Sequence, residues 1–198
     1  MKKFLFIASL VLLVCGLGVS AAFLVMYNPF KTTLTEIGMN NQPLYIVWGV
    51  MTGAAVWLNT RIMSRRLGVN NKLINVLLGI GCVSIVLSVL VYKGNAFEMR
   101  FLNGDTLSHF HRTFAVIFGV LCAFSVLATL WAASGKKRDR LPCRIAVVIL
   151  LLVCIIDVVS IIFCGLTLFC ELFALLFFQI VMFFFNFVLK IGAKTIAI

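Results

Sequence analysis

Charge, proline and histidine are what this chain has least of. Only 12% of its 198 residues are charged, six of them acidic against 17 basic. The longest stretches between apolar runs, 27–43 and 92–112, are too short to enclose a core, which excludes a separate soluble domain. The histidines number two, His109 and His111, and a spacing of two does not turn both toward one metal from one helix. A three-histidine zinc site is therefore unavailable, neither metal nor other cofactor is expected, and an enzyme is the least favoured reading. Three prolines, Pro29, Pro43 and Pro142, all fall between apolar runs. The spans thus lack the breaks that mark discontinuous transporter helices, and the two halves share no residue correspondence that would betray an inverted repeat. Seven cysteines show no paired ligand spacing, and those within apolar runs read as small apolar side chains. Cys164 and Cys170 bracket a short turn and are the one pair that could be bridged there.

What is present is hydrocarbon: 63% of the residues are hydrophobic and the mean hydropathy is +1.17. Crossing a bilayer in a helix takes roughly 20 apolar residues. Six segments qualify, at about 4–26, 44–60, 73–91, 113–131, 145–164 and 172–189. The expected fold is all-α, a polytopic six-helix transmembrane bundle occupying 1–198 as one domain. Basic residues divide 13 to 4 between the alternate sides of these segments, with Lys31, Lys93, Arg100 and Arg112 the minority. The positive-inside rule then puts both termini in the cytoplasm, in a cell membrane, as a bacterial plasma-membrane protein. Tyr27, Tyr45 and Tyr92 at outer ends and Trp57 and Trp131 at inner ends fit aromatic belts. The net charge of +11 sits in short loops beside apolar helices, so membrane lipids rather than nucleic acid are the expected partners. Lys2 and Lys3 followed by an apolar run resemble a signal peptide, but the run continues to Tyr27, which suits a retained span.

Against this background the polar residues stand out. Asp157 has nine apolar or small residues on either side. An acid in hydrocarbon costs several kcal/mol and normally finds a partner or a proton, so Asp157 is a candidate ligand-binding or titrating group. The others gather outside: Glu36 in Thr35-Glu36-Ile37-Gly38, Glu171 at the start of the last helix, and Ser108, His111 and Arg112 in the turn where the fourth helix begins. If that turn is helical, Ser108, His111 and Arg112 share a face and His109 points elsewhere. Each has a plainer role open to it: Glu36 as a loop cap, His111 and Arg112 as interfacial residues. Arg112 is the expected partner of Asp157, across a depth difference of about 10 Å. Small residues at Gly18 and Ala22, Gly49 and Gly53, and Gly79 and Gly81 suit close helix packing. The phenylalanine-rich last helix is expected to be peripheral, with Gln179 and Asn186, seven apart, turned inward.

Thr35-Glu36-Ile37-Gly38 between Pro29 and Pro43, together with the fourth helix led by His109 or His111 into Arg112-Thr113-Phe114-Ala115, resembles an uncharacterised bacterial six-helix membrane family distantly related to the Frag1/DRAM membrane proteins. The resemblance implies a six-helix bundle with its polar site outside, and no particular reaction. A binding, sensing or accessory protein whose outer site takes a small polar ligand or lipid headgroup is the first functional expectation. A small-solute or proton-coupled transporter using Asp157 is the alternative, and it would require a polar path supplied by other helices, Asn75 or Gln179 among them.

Overall fold

In the computed structural model, which describes residues 2–91, 104–136 and 139–189, every regular element among the described residues is helical. In chain order these are α1 (Lys2–Met26), α2 (Leu34–Asn40), α3 (Gln42–Arg66), α4 (Lys72–Leu90), α5 (Gly104–Ser134), α6 (Arg140–Cys164) and α7 (Leu168–Phe183). The last continues into one π-helical turn, Phe184–Val188. Five segments, Phe4–Met26, Lys72–Leu90, His109–Ser134, Arg140–Cys164 and Leu168–Val188, are long and apolar enough to cross a membrane. The chain thus has the makings of a multi-pass membrane protein.

The remaining long helix, α3, has the length with less of the apolarity. Thr52, Asn59, Thr60 and Ser64 interrupt it, and all four are buried. Its position explains this composition: α3 packs on α1, α4, α5 and α7, so much of its surface meets protein instead of lipid. The expected segment 44–60 is the middle of this helix, which runs on through Arg61 and Arg65 to Arg66. Successive long helices are neighbours and α7 closes back on α1, making a ring with α3 reaching across it.

Close approach is concentrated on α4. A β-carbon on Gly53 would lie 2.9 Å from Ile85 Cγ2 and 3.1 Å from the Cys82 carbonyl oxygen, and one on Gly81 would lie 2.8 Å from Cys122 Sγ. Only glycine permits these backbones to come so near. Gly18 and Gly79 face open space and belong to no such seam. The expectation that the last helix is peripheral fails as well, because α7 buries Leu172, Phe178, Gln179 and Met182 among α1, α3, α5 and α6. Its phenylalanines are largely spent on one another: Phe169 stacks on Phe173 at a centroid separation of 4.9 Å, and Phe173 meets Phe177, tilted, at 5.0 Å. The barer helix is α6, which exposes Ile145, Val148, Ile155, Val158 and Ile162.

Among the belt aromatics, Trp57 and Trp131 are exposed, whereas Tyr45 is buried and stacked on Trp48 at 5.8 Å. Tyr92 lies outside the described residues. At the far end of α3 the chain turns through a Schellman motif, with Val69 N donating to Ser64 O at 2.8 Å and Gly68 N to Arg65 O at 3.1 Å. Gly68 sits at φ +65°, where a side chain would be strained and its β-carbon would meet Lys136 Nζ.

Candidate functional site

The loop after α1 contains a helix that the sequence reading treats as loop. Thr33 is its N-cap: Thr33 Oγ1 accepts from Glu36 N at 3.3 Å while Glu36 Oε2 accepts from Thr33 N at 2.9 Å, a complete capping box. The signal lay in Thr33-x-x-Glu36, a pattern that satisfies two otherwise orphaned amide groups reciprocally. Asn41 ends α2 and at once caps α3, accepting from Leu44 N at 3.4 Å. Beside this corner, Gly38 leaves room for the Tyr45 ring, which a β-carbon would approach to 2.5 Å.

Three sets of bonds fasten α2 to the bundle. Leu168 N donates to Thr32 O at 2.7 Å and Phe169 N to Pro29 O at 2.9 Å, so the loop's carbonyls take up amides from the first turn of α7. In the reverse direction, Glu171 Oε2 accepts from Leu34 N at 2.6 Å. The carboxylates of Glu36 and Glu171 thereby converge on the first turn of α2, where a helix favours negative charge. The third attachment is Thr35 Oγ1 to His111 Nε2, at 2.9 Å.

His111 carries that contact into the bundle. Its Nδ1 lies 2.8 Å from Ser88 O and 3.1 Å from Ser88 Oγ, and Ser88 Oγ donates to His111 O at 3.2 Å. A carbonyl can only accept, so Nδ1 bears the proton; in the neutral ring Nε2 is then the acceptor and Thr35 Oγ1 the donor. The imidazole is buried and bridges α2, α4 and α5. In the sequence Thr35 appears only as part of the Thr-Glu-x-Gly segment and Ser88 not at all; the fold brings both to His111.

The remaining candidates are dispersed. Arg112 and His109 are exposed, next to a buried His111. Ser108 and the acids of that region, Glu98 and Asp105, have side chains outside the described residues. Asp157 is half-buried on α6, its Oδ1 is buried with no hydrogen-bond partner, and it makes no ion pair with Arg112. A direct Asp157–Arg112 ion pair is thus absent. Cys164 and Cys170 are free, Cys170 Sγ donating to Gly165 O at 3.7 Å. Among the described residues no three His, Cys, Asp or Glu side chains gather as metal ligands.

A second polar group lies deeper, between α1, α3 and α7. Asn59 Nδ2 donates to Ser9 O at 3.0 Å and to Ala55 O at 2.9 Å, and Asn186 Nδ2 donates to Asn59 O and Oδ1 at 2.9 and 3.1 Å. Thr60 Oγ1 reaches Met182 Sδ at 3.2 Å, and Trp48 Nε1 reaches Ser20 Oγ at 3.0 Å. The Asn59–Ser9 and Trp48–Ser20 bonds set the register of α1 on α3, which brings Thr52 to about the level of Gly16. Gln179 arrives there from α7, its Nε2 3.7 Å from where a Gly16 β-carbon would be. Thr52 Oγ1 and both ends of the Gln179 amide are buried without partners. The inward stripe of Gln179 and Asn186 is therefore real, and its two members differ: Asn186 donates to Asn59 and leaves only its Oδ1 unpartnered, whereas Gln179 has no partner at either end.

No family model, curated protein or solved structure matches the chain.

Proposed function

We propose that this chain is a binding or sensing protein of the cell membrane, with six crossings and both ends cytoplasmic. Its outer polar site, roofed by α2, takes a small polar ligand or a lipid headgroup. The 13 to 4 division of basic residues supports the sidedness, and the placement of α3 within the ring supports its counting as the sixth span. The carrying observation is the Thr35–His111 hydrogen bond, which joins a short loop helix to the start of a membrane helix. A single bond of this kind is worth about 1 kcal/mol, so a ligand offering its own donor to His111 Nε2 could displace Thr35 at small cost. Kinship with the six-helix family related to the Frag1/DRAM proteins belongs to the same proposal, supported by the Thr-Glu-x-Gly segment lying over the His-led helix.

Native mass spectrometry of detergent-purified protein tests the reading. The parent should carry a co-purified lipid or small polar molecule, and Thr35→Val and Glu171→Gln should each change its occupancy. Identical spectra for parent and both variants would overturn it.

A second reading is favoured by Asp157 and by the unpartnered atoms of Thr52 and Gln179. A proton-coupled transporter would need a titrating acid and a polar path from other helices, and these groups are the material for one. Liposomes holding the reconstituted protein should then show proton flux that Asp157→Asn abolishes; equal flux in both would dismiss this reading.

A further inference from the structure

From Arg61 to Lys72 the chain has no acidic residue, yet it carries Arg61, Arg65, Arg66 and Lys72. These four do different work. Arg66 turns toward α7, where Nη1 donates to the carbonyls of Phe185 and Asn186 and Nη2 to Leu189 O at 3.3 Å. A cation at the end of a helix suits the exposed carbonyls there. Arg61 and Arg65, one turn apart on another face of α3, instead line a cavity of about 450 Å3 with Asn70 and Asn75.

The acceptors around this cavity are already occupied. Lys136 Nζ donates to Leu67 O at 2.6 Å and to Gly68 O at 2.8 Å, and Ser64 Oγ donates to Val69 O. Asn71 caps α4 through Leu73 N and Ile74 N, and the first turn of α4 holds no acid. What remains free toward the cavity is two guanidinium groups, which can only donate, and the side-chain amides of Asn70 and Asn75, whose Nδ2 can donate beside them. Two forked cations with supporting amides match the oxygens of a phosphate. The same face of α3 continues away from the arginines as Trp57, Val50 and Val47, all exposed, so a phosphate held there has an apolar track for acyl chains running beside it.

We propose that this cavity binds the phosphate of an anionic phospholipid in the leaflet at the Arg66 end, cytoplasmic in the topology above. The shared chemistry with a free phosphate ion is the double-arginine grip; the track along Trp57, Val50 and Val47 is what distinguishes the lipid. The site lies at the opposite end of the bundle from the roof of α2 and does not depend on a ligand there.

The test is native mass spectrometry of the full chain titrated with phosphatidylglycerol, phosphatidylcholine or inorganic phosphate. Phosphatidylglycerol should be retained in preference to phosphatidylcholine, and Arg61→Gln with Arg65→Gln should weaken its retention by about tenfold or more. Arg140→Gln with Arg144→Gln, a basic pair elsewhere at the same end, should leave retention unchanged. Should the first double variant fold poorly, Asn75→Asp sets a carboxylate against the two arginines and should cause the same loss. Undiminished binding in the cavity variants, or equal loss in the Arg140/Arg144 control, would overturn the proposal. Displacement of the lipid by millimolar inorganic phosphate would overturn the lipid assignment in favour of a free anion.

Discussion

The two polar regions of the bundle are built on opposite principles. At the α2 end the groups that hold the roof are bonded: His111 uses both ring nitrogens, Ser88 donates to His111 O, and Glu36 and Glu171 each accept from a backbone amide. Deeper in, Thr52 and Gln179 are wholly buried and hold polar atoms with no partner. A bonded cluster fixes geometry, whereas an orphaned one costs free energy unless a water or ligand completes it. The contrast teaches that a ligand under the roof has to replace bonds already made, whereas a molecule in the interior would complete bonds that are missing.

The comparison can be broken hardest at His111. Replacing it with Ala removes bonds to α2 and α4 together and leaves a cavity, so stability in detergent should fall by about 3 kcal/mol. A thermal shift of no more than a degree or two would mean that the roof is not fastened there. Glu171→Gln keeps an acceptor for Leu34 N but loses its charge, and should cost about 1 kcal/mol, seen as a smaller fall in melting temperature and faster hydrogen exchange in α2. Unchanged exchange would detach Glu171 from the fastening.

Gln179→Met probes the other side of the contrast. If the interior is dry, removing an orphaned amide should raise stability by about 1 kcal/mol. A loss of similar size would instead reveal that the amide is bonded to something bound. The smallest effect is expected from the Asp157→Asn and Arg112→Gln cycle: with no bond between them, the double variant should equal the sum of the singles within about 0.5 kcal/mol. Coupling beyond that would restore the pairing expected from sequence.

Sidedness can be sharpened separately. Cysteines placed at Asn40 and Gly135, both exposed, in a cysteine-free background should differ in intact cells, Asn40 reacting with an impermeant thiol reagent and Gly135 not. The reverse pattern would invert the topology.

Much of this architecture was legible because bilayer chemistry writes long apolar runs, and the five apolar spans lie where those runs are. The inward stripe of Gln179 and Asn186 was legible for a related reason: amides in a phenylalanine-rich helix have few places to go. α2 was missed although Thr33-x-x-Glu36 announced it, since seven residues between two prolines look like loop by composition. The contacts of Thr35 and Ser88 were beyond sequence reading, because they are made to a histidine 76 and 23 residues away. Arg112 does not share the face of His111 as expected, for a local reason: it follows His111 in a helix, and a step of one residue turns about 100° away from the buried face.

The closure of α7 on α1 has a bearing on the order of assembly in the membrane. Synthesis delivers α1 and α3 long before α7, so the seam that finally holds Gln179 and Asn186 stands open while the intervening helices are made. In lipid the Asn186 amide has nothing to bond, and its bonds to Asn59 draw the end of the last helix inward more strongly than its phenylalanines could. Ring closure is then the last and most non-local event of folding, and a substitution that removes the Asn186–Asn59 bonds should show first as slow or incomplete closure, with α7 open to protease or lipid-phase labelling, before it shows in the finished protein.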